Sequence, residues 1–97
     1  MANETKGNEA KDGELNVYGS SWCGYTMMAL RQLDEWGVNY NYIDVDVDPA
    51  AEKQIANWNN GRSIRPTIEI SGEVWVNPAP AQLRSELETR GLLPDAA

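Results

Sequence analysis

From Leu15 onward the apolar residues of this 97-residue chain change spacing repeatedly, and the order of those changes leaves few topologies open. Leu15-Asn16-Val17-Tyr18 alternates apolar with polar and stops at Gly19, the pattern of a short strand. Ser20 and Ser21 then offer side-chain oxygens for a helix start. Tyr25, Met28, Ala29, Leu33 and Trp36 recur at three- and four-residue steps, which predicts one shared helical face, and Gly37 supplies the stop. Alternation returns over Tyr40 to Val47 as a second strand. Asp48-Pro49, a capping side chain before a proline, opens a second helix that runs through Ile55 and Trp58 to Asn59-Asn60-Gly61. Thr67 to Ile70 and Glu73 to Val76 flank Ser71-Gly72 as a hairpin. Asn77-Pro78-Ala79-Pro80 breaks the strand, and a last helix, closed by Gly91, turns Leu83, Leu87 and Leu92 toward the core. The predicted order is β-α-β-α-β-β-α, an α/β chain. A helix joins the first two strands, so they are expected to be parallel with a right-handed crossover.

A chain of this length buries roughly 65% of its unfolded surface, enough for one modest core. No repeat or linker asks for a second domain. Residues 1–14 hold no strong apolar residue after Met1 and are read as a flexible tail, leaving 15–97 as the single domain. The charge is lopsided, 8 Lys+Arg against 15 Asp+Glu, formally −7. That argues against nucleic acid and anionic membrane as partners, because both need a basic face. No apolar run approaches ~18 residues, and the first residues lack the apolar core of a signal peptide. A soluble cytoplasmic monomer is expected.

The chain has no histidine and one cysteine, Cys23. Ser-His, Cys-His and His-metal mechanisms are therefore excluded, as are an internal disulfide and a zinc cage of Cys and His, and no metal site is expected. Asp44-Val45-Asp46-Val47-Asp48 imitates a calcium loop, but its sixth position is Pro49 and its twelfth Ile55, so these carboxylates are read as a strand end and a helix start. Trp58 and Trp75 are expected in the core, and Met27 and Met28 in helix packing.

Cys23 follows the first strand and opens the first helix, within Ser20-Ser21-Trp22-Cys23-Gly24-Tyr25-Thr26. Unpaired amides and the positive end of the helix dipole favour an anion there, and a thiol so placed falls below its free pKa of ~8.5. The alternative is that Cys23 is a small buried hydrophobe without chemistry. Trp22 precedes it, where an exposed indole would form part of a partner-docking surface.

Trp22-Cys23-Gly24-Tyr25, the Asp48-Pro49-Ala50-Ala51 helix start and Pro66-Thr67 before a hairpin together resemble the glutaredoxins, from Leu15 to about Leu92. Within that family the Trp-Cys-Gly-Tyr core and Asn77-Pro78 look most like mycoredoxins and related bacterial glutaredoxin-like proteins. The resemblance implies a thioredoxin-like fold, a four-stranded mixed sheet flanked by helices, with Pro66 in a cis peptide facing the cysteine. It also implies thiol–disulfide exchange, with Cys23 as nucleophile. A low-molecular-weight thiol, mycothiol or glutathione, would serve as co-substrate and thiolated proteins as partners, without a resident cofactor. Trp22, Gly24, Tyr25, Arg65, Pro66, Thr67 and Asn77 are the positions implied for substrate and thiol binding.

Three departures matter. The family's second cysteine is Thr26 here, so only a monothiol route is open, in which an external thiol releases what Cys23 captures. The Thr26 hydroxyl remains able to donate to the thiolate. A lysine common before the cysteine is missing from Tyr18-Gly19-Ser20-Ser21, and the usual apolar residue before the proline is Arg65. Arg65 is either a solvated loop residue or, with Arg62, the cation that steadies the thiolate or a thiol carboxylate. Two other readings stand beside the oxidoreductase: a carrier of a [2Fe–2S] cluster bridged between two subunits, and a redox-silent thioredoxin-fold binding module.

Overall fold

The computed structural model describes residues 15–94; the expected tail, residues 1–14, lies outside them. The described residues form β1 (Leu15–Gly19), α1 (Gly24–Glu35), β2 (Tyr40–Asp44), α2 (Pro49–Trp58), β3 (Thr67–Ile70), β4 (Glu73–Val76) and α3 (Pro80–Thr89). The sheet order is β2-β1-β3-β4, with β1 and β2 parallel and the other two pairs antiparallel. This is the mixed four-stranded, thioredoxin-like arrangement expected above.

Strand alternation sends Leu15, Val17, Tyr40, Ile68 and Ile70 to one face, where they bury against Leu33 of α1 and Leu83 and Leu87 of α3. Burying each such side chain is worth about 1.5–3 kcal/mol. The opposite face carries Tyr18 and Ile43, packed against Val45, Ala51 and Ile55 of the α2 region. That face also holds a polar rung. Asn41 Nδ2 donates to Asn16 Oδ1 (2.9 Å), and Asn16 Nδ2 donates to Glu69 Oε1 (2.6 Å), across three strands. The hairpin turns on Ser71 (φ 52) and Gly72 (φ 89), the paired positive angles of a two-residue link.

Several expectations need correction. The buried stripe of α1 runs through Thr26 and Leu33, with Leu30 partly covered, while Tyr25, Met27 and Met28 are exposed. The inward phase begins at a threonine, so Tyr25 and Met28 leave the predicted face while Leu33 and Trp36 keep it. β2 ends at Asp44 because its carboxylate accepts the Asp46 amide (2.9 Å) and folds the chain into a turn. Val45 is buried beyond that turn, but Val47 is exposed. Neither Ser20 nor Ser21 caps α1; Cys23 holds the capping position. Asp48 does cap α2, accepting the Ala51 amide at 3.2 Å. Trp75 packs partly buried against the larger core, whereas Trp58 stays exposed and meets Tyr18 edge to face.

Candidate active site

The end of β1 and the start of α1 are drawn together by one close approach. A Cβ on Gly19 would lie 2.6 Å from Thr26 Oγ1 and closer still to its Cγ2, so only glycine admits the threonine. Thr26 is fully buried there, and its Oγ1 accepts the Ser20 amide at 3.4 Å. That leaves the hydroxyl proton free to turn toward the sulfur one helical turn back.

Cys23 is half-buried. As a thiol it caps nothing and donates to the Arg65 carbonyl at 3.9 Å. Burial pushes its pKa up, but the Thr26 amide, the Thr26 hydroxyl, the Tyr25 amide and the Arg65 charge together hold it below its ordinary value. The thiolate thus takes the place of an N-cap oxygen, receiving amides that the helix leaves unpaired. Trp22 and Tyr25 flank the sulfur and are open to solvent, as is Gly24.

The Arg65–Pro66 peptide is cis, as implied. Pro66 is buried, and its carbonyl accepts the Asn77 amide at 2.8 Å, which ties the end of β4 to this loop. Thr67 is buried; its hydroxyl donates to the Ile64 carbonyl (2.8 Å) and accepts from Asn59 Nδ2 (3.4 Å). Cys23, Thr26, Trp22, Tyr25 and Arg65 therefore share one locale, with Pro66, Thr67 and Asn77 shaping the loop that faces it. Arg62 is exposed, and the cationic charge that bears on Cys23 is that of Arg65.

The arginine is not free. Its Nε donates to Ser20 Oγ (2.6 Å), one terminal nitrogen to the Ser63 carbonyl (3.0 Å), and the other faces Glu52 (3.3 Å) and Asp46 (3.6 Å). Its guanidinium also lies 5.5 Å from the Trp22 ring centre. Sequence reading missed Ser20, Asp46, Glu52 and Ser63 as its partners. Their only signal was an acidic turn and an acidic first helical turn, which solvent explains equally well. It also missed Tyr42, whose buried hydroxyl has no hydrogen-bond partner among the described residues. Burial first, then Asp44, Asp46 and Cys23, push that phenol up to about 12.

The glutaredoxin family profile matches residues 15–75. Mycoredoxin 1 of Corynebacterium glutamicum is 35% identical over 75 residues, covering 76% of this chain and 92% of that protein. A thioredoxin-like protein of solved structure superposes with a TM-score of 0.69 at 27% identity, over 77% of this chain and 95% of its own. The buckwheat glutaredoxin–glutathione complex superposes with a TM-score of 0.66 at 19% identity, over 96% and 89%. No helix among the described residues is long and apolar enough to cross a membrane. With the family profile matched over residues 15–75 and a mycoredoxin similar over most of both chains, the chain belongs to the glutaredoxin family and is a thiol–disulfide oxidoreductase.

Proposed function

We propose that this protein reduces mixed disulfides between proteins and a low-molecular-weight thiol by a monothiol route. The observation that carries the reading is the single thiol, half-exposed at the open start of α1, with amides and a hydroxyl convergent on its anionic form. The Cys23 thiolate attacks the small-thiol sulfur of the mixed disulfide. The substrate protein leaves as a thiolate and takes a proton from solvent, while Cys23 is left bonded to the small thiol. A second small-thiol molecule, as thiolate, then attacks that bond, releasing the symmetrical disulfide and restoring Cys23. Thr26 and the helix amides hold the charge at both ends of the cycle. Trp22, Gly24, Tyr25 and the Arg65-Pro66-Thr67 loop with Asn77 form the bed for the substrate.

Arg65 already has Ser20, Ser63, Glu52 and Asp46 on its donors, which argues against its receiving a thiol's carboxylate. That favours mycothiol, whose body is uncharged and rich in hydroxyls, over the dicarboxylate glutathione. The similarity to a protein named mycoredoxin points the same way. The test is turnover of a peptide–mycothiol and a peptide–glutathione mixed disulfide with the matching thiol varied. Expected are a rate that rises with thiol concentration, faster reaction with mycothiol, and no turnover by Cys23→Ser. Turnover without added thiol, or by the serine variant, would sink the monothiol route.

A further inference from the structure

Four large apolar side chains stand open on the segments that carry Cys23 and Asp46: Trp22 at 69%, Tyr25 at 63%, Met28 at 59% and Val47 at 78% of full exposure. Tyr25 and Met28 are three residues apart, so they line one flank of α1 leading away from Cys23. Val47 adjoins Asp46, which pairs with the arginine lying against Trp22, so the two sides of the surface meet at Arg65. At Arg65 two carboxylates meet one cation, which leaves a net negative charge there. The Asp46 and Glu52 side chains are 36% and 47% exposed, Asp48 is exposed, and the Arg65 side chain is only 14% exposed. What a partner meets beside the thiol is therefore apolar and negative.

We propose that this face is the docking surface for protein substrates, and that it selects segments in which the thiolated cysteine is flanked by a basic and an apolar residue. This deepens the oxidoreductase reading and rests on it. The apolar neighbour covers the Tyr25–Met28 flank or Val47, and the cation meets Asp46, Asp48 and Glu52. Exposed apolar area beside polar residues is the common mark of an interaction surface. A second copy of this chain is disfavoured as occupant, because it carries −7 and the same acidic rim. The negative rim also disfavours acidic segments, which gives selection by repulsion as well as by attraction.

The test uses peptides of equal length bearing the same mixed disulfide, with Lys and Leu, Glu and Leu, or Lys and Ser beside the cysteine. Reduction of the Lys/Leu peptide is expected to exceed that of the Glu/Leu peptide by about tenfold in kcat/KM. High salt should shrink that ratio, since the rim is solvent-exposed. The Lys/Ser peptide should fall between them. Val47→Lys should narrow the Lys-over-Glu ratio while leaving reduction of a small neutral mixed disulfide unchanged. Equal rates for the three peptides, with normal turnover of the small disulfide, would overturn the docking proposal alone. Sedimentation showing a stable dimer that hides Trp22 from fluorescence quenchers would overturn it in favour of a second copy. No turnover of any disulfide would overturn the oxidoreductase reading, and the docking surface with it.

Discussion

Thr26 occupies a slot that only the absent Cβ of Gly19 makes possible, with its methyl against β1 and its hydroxyl between the Ser20 amide and the sulfur. Exchanging the hydroxyl for a methyl of equal size separates these roles. Thr26→Val should keep the packing and move the midpoint of Cys23 alkylation against pH upward, while Thr26→Ser should keep the midpoint low. An unchanged midpoint in the valine variant would remove the hydroxyl from the account of thiolate stabilisation. The place of Cys23 at a helix start was legible because the first strand stops at Gly19 and helical spacing follows it. The way Arg65 is held was not legible, since Ser20, Asp46, Glu52 and Ser63 reach it from four different segments. Nothing in the spacing of a sequence announces such convergence.

At the scale of elements, the polar rung across β2, β1 and β3 does what an apolar residue could not. Asn16 and Asn41 are buried, and each amide in the rung finds its partner only in this register, since Asn16 stands opposite both Asn41 and Glu69. A slip of any one of these strands by one residue would send its rung side chain to the other face. Asn16→Ala removes the hydrogen bonds to Asn41 and Glu69 and should lower stability by about 1–3 kcal/mol. Urea unfolding followed by circular dichroism would measure it; a loss within error of zero would mean that the rung contributes nothing net. The order of elements was readable from the change of period alone. The phase of α1 and the end of β2 were not, because each was decided by one polar side chain, Thr26 buried under the sulfur and Asp44 closing a turn. Hydrophobic spacing cannot see either.

Across the whole molecule, three phenols held above their ordinary pKa, Tyr18, Tyr40 and Tyr42, make stability sensitive to alkali. Burial first, then the hydrogen bond to Asp34 and its charge, push Tyr40 up to about 12, and Tyr42 also stands at about 12. Both values lie above the roughly 10 of an unfolded tyrosine. Between these limits the native state holds protons that the unfolded state has lost, so stability falls as pH rises. The contribution is complete below about pH 10 and is lost through about 12. Unfolding midpoints in urea across that window, with tyrosinate absorbance as the second signal, should show the decline. Tyr42→Phe should flatten it without lowering stability at neutral pH, since its hydroxyl has no partner to lose among the described residues. A slope unchanged by that substitution would place the alkaline sensitivity elsewhere.

Position 26 also decides what the molecule can remember. In a chain with a second thiol one turn along, oxidation closes a ring, and the protein stores the event until something reopens it. Here that place is filled by a threonine packed on Gly19, and the chain has no other sulfur nucleophile to close upon Cys23. Whatever bond Cys23 forms stays open to the next thiol that arrives. On the monothiol route proposed above, the half-life of that bond would be a property of the surrounding pool, and the protein a meter of that pool with no record of its own.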